Sequence, residues 1–285
     1  MMKKNLFDED NPDRRLRESF CLFLDLLGFS NQVKAVGQNE EEAQKHFDAI
    51  YKAFDAATKE IRYETDFHRN MEDYVENWNC RLFSDNVAIG CPLDGHYHSE
   101  SLLWRLIEGA SRCQLELTLA DYFVRGGCAV GPLYMNDLMI YGTAMIDAYE
   151  MESQYAIYPA IALTEKACQY VHEHTRYYQE LEQSVHYNSI YISQTGHYFM
   201  NYLHELVYSQ DPYLLQEDKL FTHKKLIIDN IARHEANPKV QIKYKWAADY
   251  HNFFCEQIPR DYGISVPEEA FIELSSGFKF SRLER

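Results

Sequence analysis

Asp25 closes the apolar run Phe20-Cys21-Leu22-Phe23-Leu24, and the turn Leu26-Leu27-Gly28-Phe29-Ser30 opens directly after it. At the strand period of two, Cys21, Phe23 and Asp25 share a face, so a carboxylate emerges at the end of a core strand. An acid there is costly unless a cation meets it, and a Gly28 turn can aim backbone N–H groups at a phosphate. A second acid has a comparable setting. Arg81-Leu82-Phe83-Ser84-Asp85-Asn86-Val87-Ala88-Ile89 is two short apolar runs around Ser-Asp-Asn, the pattern of a hairpin with Asp85 at its tip. Two acids so placed suit a two-metal phosphoryl site. Either one alone is equally an acid that ends a strand or starts a turn.

The elements that must position these acids follow from periodicity. Asn39 before Glu40-Glu41-Glu42 reads as a helix start, and Ala43, Phe47, Ile50, Tyr51, Phe54 and Ile61 continue it. Asp66 to Asn77 is polar and reads as an insertion that lengthens the gap between the two aspartates. Leu102, Leu103, Leu106, Ile107, Ala110, Cys113 and Leu117 predict a helix over 99–121. A strand over 123–130, a helix over 142–151 and a strand over 157–163 follow. A polar helical stretch over 164–182, a short strand over 189–192 and a mostly helical region from Tyr213, broken at Asn237-Pro238, complete the chain. Tyr244, Trp246, Tyr250, Phe253 and Phe254 read as the apolar face of a packing helix. The inner order of strand, helix, hairpin, helix, strand, helix, strand predicts an α+β sandwich, with helices on one face of an antiparallel-rich sheet. The expected division is an arm over 1–17, a core domain over 18–205 and a helical extension over 206–285 packed on it.

Composition narrows the functions. With 46% apolar residues in 285, the chain can bury a core. A formal net charge of −16 argues against coating a nucleic-acid polymer, which calls for a basic surface. The seven cysteines are scattered, without a Cys-x-x-Cys pair, and read as small buried residues in a reducing compartment. No apolar run approaches the roughly 20 residues a membrane span needs, so the expected location is the cytoplasm. His96-Tyr97-His98 and His172-Glu173-His174 have metal-like spacing, but each is an isolated pair.

Four blocks carry a resemblance to a known family. Asp25-Leu26-Leu27-Gly28-Phe29-Ser30 and the Ser84-Asp85 hairpin resemble the two metal-aspartate motifs of class III nucleotidyl cyclases. Arg125-Gly126-Gly127-Cys128-Ala129-Val130-Gly131 stands where that family has its Arg-x-Gly-x-x-x-Gly strand. Gly142-Thr143-Ala144-Met145-Ile146-Asp147-Ala148-Tyr149-Glu150 stands where it has its Asn- and Arg-bearing helix. The order and spacing fit over roughly residues 18 to 165. The Arg-Gly-Gly strand, this helix and the segment 243–252 look most like the pyrimidine cyclases of the bacterial Pycsar antiphage system.

The resemblance implies a ferredoxin-like cyclase sandwich that converts UTP or CTP to a 3′,5′-cyclic monophosphate and pyrophosphate. It implies two Mn²⁺ or Mg²⁺ ions held by Asp25, Asp85 and the Leu26 carbonyl, with the backbone of Leu27, Gly28, Phe29 and Ser30 around the phosphates. It also implies a head-to-tail homodimer with sites between protomers, and a separate effector that answers the cyclic product. The positions that read purines in the family are Arg81 and Met139, which match neither purine code; Arg donors suit the O2 carbonyl shared by uracil and cytosine. The family's transition-state Asn and Arg fall on Ile146 and Glu150, which cannot stabilise developing negative charge. Arg125 is the candidate substitute, on a strand whose glycines would leave room beside a ligand. Glu150 and Asp147 are candidate anchors for an arginine or a ribose hydroxyl. A purine cyclase and a non-catalytic nucleotide sensor of the same fold stay open as alternatives.

Overall fold

A computed structural model describes residues 15–66, 79–93, 99–208 and 213–284. The first strand, β1 (Arg17–Leu26), is apolar on both sides because both are covered. Phe20, Leu22, Leu24 and Leu26 enter one core cluster, while Cys21 and Phe23 enter another. Helices α1 (Phe29–Val36) and α2 (Glu40–Asp66) follow, then the hairpin of β2 (Asn79–Phe83) and β3 (Asn86–Pro92). Asn39 caps α2 as the sequence indicates, its Oδ1 accepting from the N–H groups of Glu41 (3.1 Å) and Glu42 (3.3 Å). Helix α3 (Ser99–Leu119) leads into β4 (Val124–Met135). The four strands lie in the order β4-β1-β3-β2 with every neighbour antiparallel, which is the βαββαβ arrangement of an α+β sandwich.

The chain then extends this sheet. Strand β5 (Ile140–Tyr141) folds back on the end of β4, and α4 (Thr143–Gln154) leads toward β6 (Ile161–Leu163), parallel to β4. After α5 (Glu165–Thr175), β7 (Ile190–Ser193) and β8 (Tyr198–Met200) add to the same edge. A separate small ladder pairs β9 (Val207–Tyr208) with β10 (Leu214–Leu215). Helices α6 (Glu217–Arg233) and α7 (Pro238–Tyr262) follow, and β11 (Phe280–Arg282) returns to pair with β7. Pro238 opens α7, where a missing N–H costs nothing, and Gly263 closes it at φ +67°.

Two layers cover the sheet. Residues of α2, α3 and α5 bury the Phe20–Leu26 side of β1, whereas Ala144 and Ala148 of α4 pack against Cys21, Phe23 and Ala129 on the opposite side. Helix α7 sits over the extended edge, with Trp246 stacked on Tyr158 at 5.6 Å and edge-on to Phe199. The apolar face expected for residues 244–254 is thus the packing face, Phe253 being its half-buried flank.

Some expectations shift. The strand expected over 157–163 shortens to three residues, because Tyr158 turns onto Trp246 and the Ala160 carbonyl accepts from Gly126 N–H instead. The helix expected over 164–182 ends at Thr175, whose hydroxyl donates to the His172 carbonyl. Strands β8 and β11 are too short to leave a pattern in the sequence. Most of the expected arm, the insertion after Asp66 and the pair His96/His98 lie outside the described residues.

Candidate active site

The sheet register brings the first acid to its partners. Asp25 stands opposite Asn86 on β3 and Arg125 on β4. The Leu26 N–H donates to the Asp85 carbonyl at 3.1 Å, so the hairpin tip is tied to the end of β1. Ser84, at φ 57°, makes the turn that presents Asp85, whose carboxylate accepts from the Asn86 side-chain amide at 3.1 Å. The two aspartates therefore meet at one end of the sheet, as their setting in the sequence indicates.

Arg125 joins them. Its Nε lies 2.8 Å from Asp25 Oδ2 and 2.7 Å from Glu152 Oε1. Glu152 is buried, at 2% exposure; it ends the helix motif Gly-x-Ala-x-x-x-Ala-Tyr-x-x-Glu, but the sequence suggests no role for it. Glu150 and Asp147, the expected anchors, lie on the exposed side of α4. Helix geometry explains the exchange: Ala144, Ala148 and Glu152 recur every four residues and form the stripe that faces the sheet. Two alanines and an acid on one stripe, opposite a Gly-rich strand, are the signal that would have found it.

The glycines of β4 do another job than the one expected. A Cβ on Gly127 would stand 2.0 Å from the Ala148 carbonyl oxygen, and one on Gly126 would stand 2.5 Å from that of Phe23. Their missing side chains admit α4 and β1, not a ligand.

Burial pushes the Asp25 carboxyl above its ordinary range; Arg125 and Lys243 pull it back, and Asp85 pushes it further. Glu152 is raised by burial, with Arg125 and Lys243 opposing and Asp25 adding. Lys243, in the first turns of α7, is held below its ordinary value by burial and by Arg125, against the pull of Asp25 and Glu152. One cluster thus contains Asp25, Asp85, Arg125, Glu152 and Lys243.

The Gly28 turn, three residues after Asp25, is exposed, with open space at its Cβ position. Gly28 takes φ +81° and precedes α1, and the backbone N–H groups of Gly28, Phe29 and Ser30 find no acceptor among the described residues. Leu27 differs: its N–H donates to the Phe123 carbonyl at 2.8 Å, which removes it from the expected phosphate cradle.

Arg81 and Met139 come together around Asn136, and neither bonds Asp25 or Asp85. Arg81 Nε donates to the Asn136 carbonyl at 2.9 Å, and its guanidinium also pairs with the Asp137 carboxylate. The Asn136 side chain accepts from Met139 N–H at 2.9 Å. The isolated pair His172/His174 makes separate contacts: His172 bonds Tyr198, and His174 bonds Ser99 and His186. Among the described residues no three His, Cys, Asp or Glu side chains gather as a metal cluster. The two aspartates, with a neighbouring backbone carbonyl, still fit a hard divalent cation: they are oxygen donors, and the half-buried Asp25 already draws a cation to itself.

No family model matches this chain, and no curated protein does. Among solved structures, the adenylyl cyclase CyaB from P. aeruginosa is similar at 11% identity and a TM-score of 0.45, over 65% of this chain and 94% of that one. The guanylyl cyclase Cya2 is similar at 11% identity and a TM-score of 0.37, over 54% and 78%. No helix among the described residues is long and apolar enough to cross a membrane.

Proposed function

We propose that this chain is a nucleotidyl cyclase acting on a pyrimidine nucleoside triphosphate, UTP or CTP. The observation that carries the reading is the meeting of Asp25 and Asp85 at adjoining strand ends, near the N–H groups of Gly28, Phe29 and Ser30, which have no acceptor among the described residues. In the reaction the ribose 3′-oxygen attacks the α-phosphorus, its proton passes to solvent water, and the bond from the α-phosphorus to the oxygen bridging to the β-phosphate breaks, releasing pyrophosphate. Asp25, Asp85 and the Leu26 carbonyl would hold two Mn²⁺ or Mg²⁺ ions, which when bound supply a more acidic 3′-hydroxyl and charge neutralisation for the triphosphate. The chain's own parts divide the remaining work. The Gly28 turn donates to phosphate oxygens. Arg125, kept in place by Glu152 when Asp25 turns to a cation, faces the charge that develops on phosphate and stands in for the family's helix arginine.

Arg81 and Met139 form the base-reading pair of this proposal, with Arg81 donors directed to the pyrimidine O2. The resemblance implies a head-to-tail homodimer in which each chain completes its partner's site. The surface supports it. Leu82, Phe83, Leu138, Tyr141, Ile146 and Tyr149 are exposed on the hairpin, the β4–β5 connection and α4, and a second copy would cover them. The cyclic product as messenger to a separate antiphage effector rests on the Pycsar resemblance alone.

A nucleotide sensor without turnover is the second reading. It is favoured by Ile146 and Glu150, which are exposed where the family has its Asn and Arg. The deciding experiment incubates the protein with Mn²⁺ and each of ATP, GTP, CTP and UTP, and resolves products by mass. A cyclic pyrimidine monophosphate is expected, and its yield should fall by about 10²-fold or more in Asp25→Asn and Asp85→Asn. A cyclic purine would discard the base-reading pair. Tight Mn²⁺-dependent nucleotide binding without product would leave the sensor.

A further inference from the structure

We propose that Lys243 of α7 is a second phosphate-binding cation of this site, so that the C-terminal helical extension supplies part of the machinery for triphosphate binding. The inference rests on the cyclase reading above and adds to it a residue outside the four motif blocks.

Packing fixes where Lys243 stands. Its neighbour Tyr244 is buried, with its ring edge-on to Phe123 at 5.1 Å, and the Phe123 carbonyl holds the Leu27 N–H at the base of the Gly28 turn. Three residues on, Trp246 stacks on Tyr158, beside the Ala160 carbonyl that accepts from Gly126 N–H. Tyr244 therefore anchors this turn of α7 to Phe123, two residues before the Arg125 that reaches Asp25 and Glu152, and Trp246 anchors it to Tyr158.

Charge then distinguishes Lys243 from a structural counter-ion. It is half-buried, feels the fields of Asp25, Glu152 and Arg125, and yet makes no ion pair or hydrogen bond among the described residues. Arg125, by contrast, is closed onto both carboxylates. A partly desolvated ammonium with no partner is costly, and a lysine is a compact point charge suited to phosphate oxygens. With Asp25 given over to a cation and Arg125 held by Glu152, Lys243 is a positive charge of this cluster that no described residue pairs with.

The test titrates inorganic tripolyphosphate into the full chain with Mn²⁺ by calorimetry, because the probe carries the phosphates without a base. Lys243→Gln should bind about tenfold more weakly, and Lys243→Arg should recover most of that loss. Wild-type affinity in a folded Lys243→Gln overturns the Lys243 assignment and leaves the cyclase reading in place. No Mn²⁺-dependent binding by the unaltered protein overturns both. A second measurement does not depend on a variant folding: tripolyphosphate with Mn²⁺ should shield Lys243 of the unaltered protein from acetylation, read by peptide mass. Equal acetylation with and without the probe also refutes the assignment.

Discussion

Replacing Gly127 by alanine should push α4 off the sheet and loosen Arg125. The added Cβ would stand 2.0 Å from the Ala148 oxygen, 2.9 Å from the Ala148 carbonyl carbon and 2.9 Å from Met151 Cβ. Two of those three atoms are backbone, so no side chain can swing aside. Restoring ordinary contact requires α4 to retreat by roughly 1–1.5 Å. Overpacking of this kind costs about 3 kcal/mol, the upper end of the usual range, because backbone opposes backbone. At about 2–4 °C per kcal/mol for a chain near this size, the thermal midpoint should fall by about 6–12 °C. The same retreat carries Glu152 away from Arg125 and opens their 2.7 Å contact. Thermal unfolding followed by circular dichroism measures the effect. Gly196→Ala serves as the control: Gly196 has φ +83° and open space around its Cβ position, so only a backbone penalty of about 1 kcal/mol applies. A Gly127→Ala midpoint within about 1 °C of the unaltered protein would show that α4 does not rest on β4 as described.

Acid should destabilise the protein through its buried histidines. The Tyr202 hydroxyl donates to His223 Nε2 at 2.8 Å, His223 and His251 share one proton across a 2.9 Å Nδ1–Nδ1 contact, and His251 Nε2–H donates to the Ala270 carbonyl at 2.9 Å. Burial lowers His251 from 6.5 to about 4, and burial with His251 beside it lowers His223 well below 6.5. The unfolded chain takes up these protons first, so stability present above pH 6.5 is lost as pH falls toward 4. His251 alone should account for about 2 kcal/mol of that loss at pH 5. Urea midpoints that do not move between pH 7.5 and pH 5 would contradict it. Separately, Asp249 accepts from Ser276 N–H at 3.0 Å and Phe278 N–H at 2.9 Å, fastening the segment that returns to β11. Asp249→Asn should cost about 2–3 kcal/mol and speed proteolysis between Gly263 and Lys279; unchanged cleavage there would count against the fastening role.

The site was only partly legible in the sequence. Asp25 and Asp85 were, because each follows a local apolar pattern that fixes a strand end or a hairpin tip. Arg125 was marked by its glycines, although for the wrong reason: those glycines make room for α4 and β1. Glu152 is visible as the last residue of the α4 motif, but its role is not, because its partner Arg125 lies on another strand. Lys243 opens the segment 243–252 that carries the resemblance, but the aromatic residues there set the helical pattern and nothing local ties the lysine to the aspartates. Leu27 looked like part of the phosphate cradle until Phe123 took its N–H.

The sequence by itself determined the core elements β1, the β2–β3 hairpin, α2 and α3, and with them the α+β class and the two acids at strand ends. It could do so because apolar periodicity, capping by Asn39 and the Ser-Asp-Asn turn are properties of neighbouring residues. Tertiary structure decided everything that joins distant segments. The β1–β4 register sets Arg125 opposite Asp25, the stripe of α4 turns Glu152 inward, and α7 carries Lys243 to the same cluster. Those choices depend on sheet register and on which face each helix buries, and no local pattern encodes where a chain will return a hundred residues later.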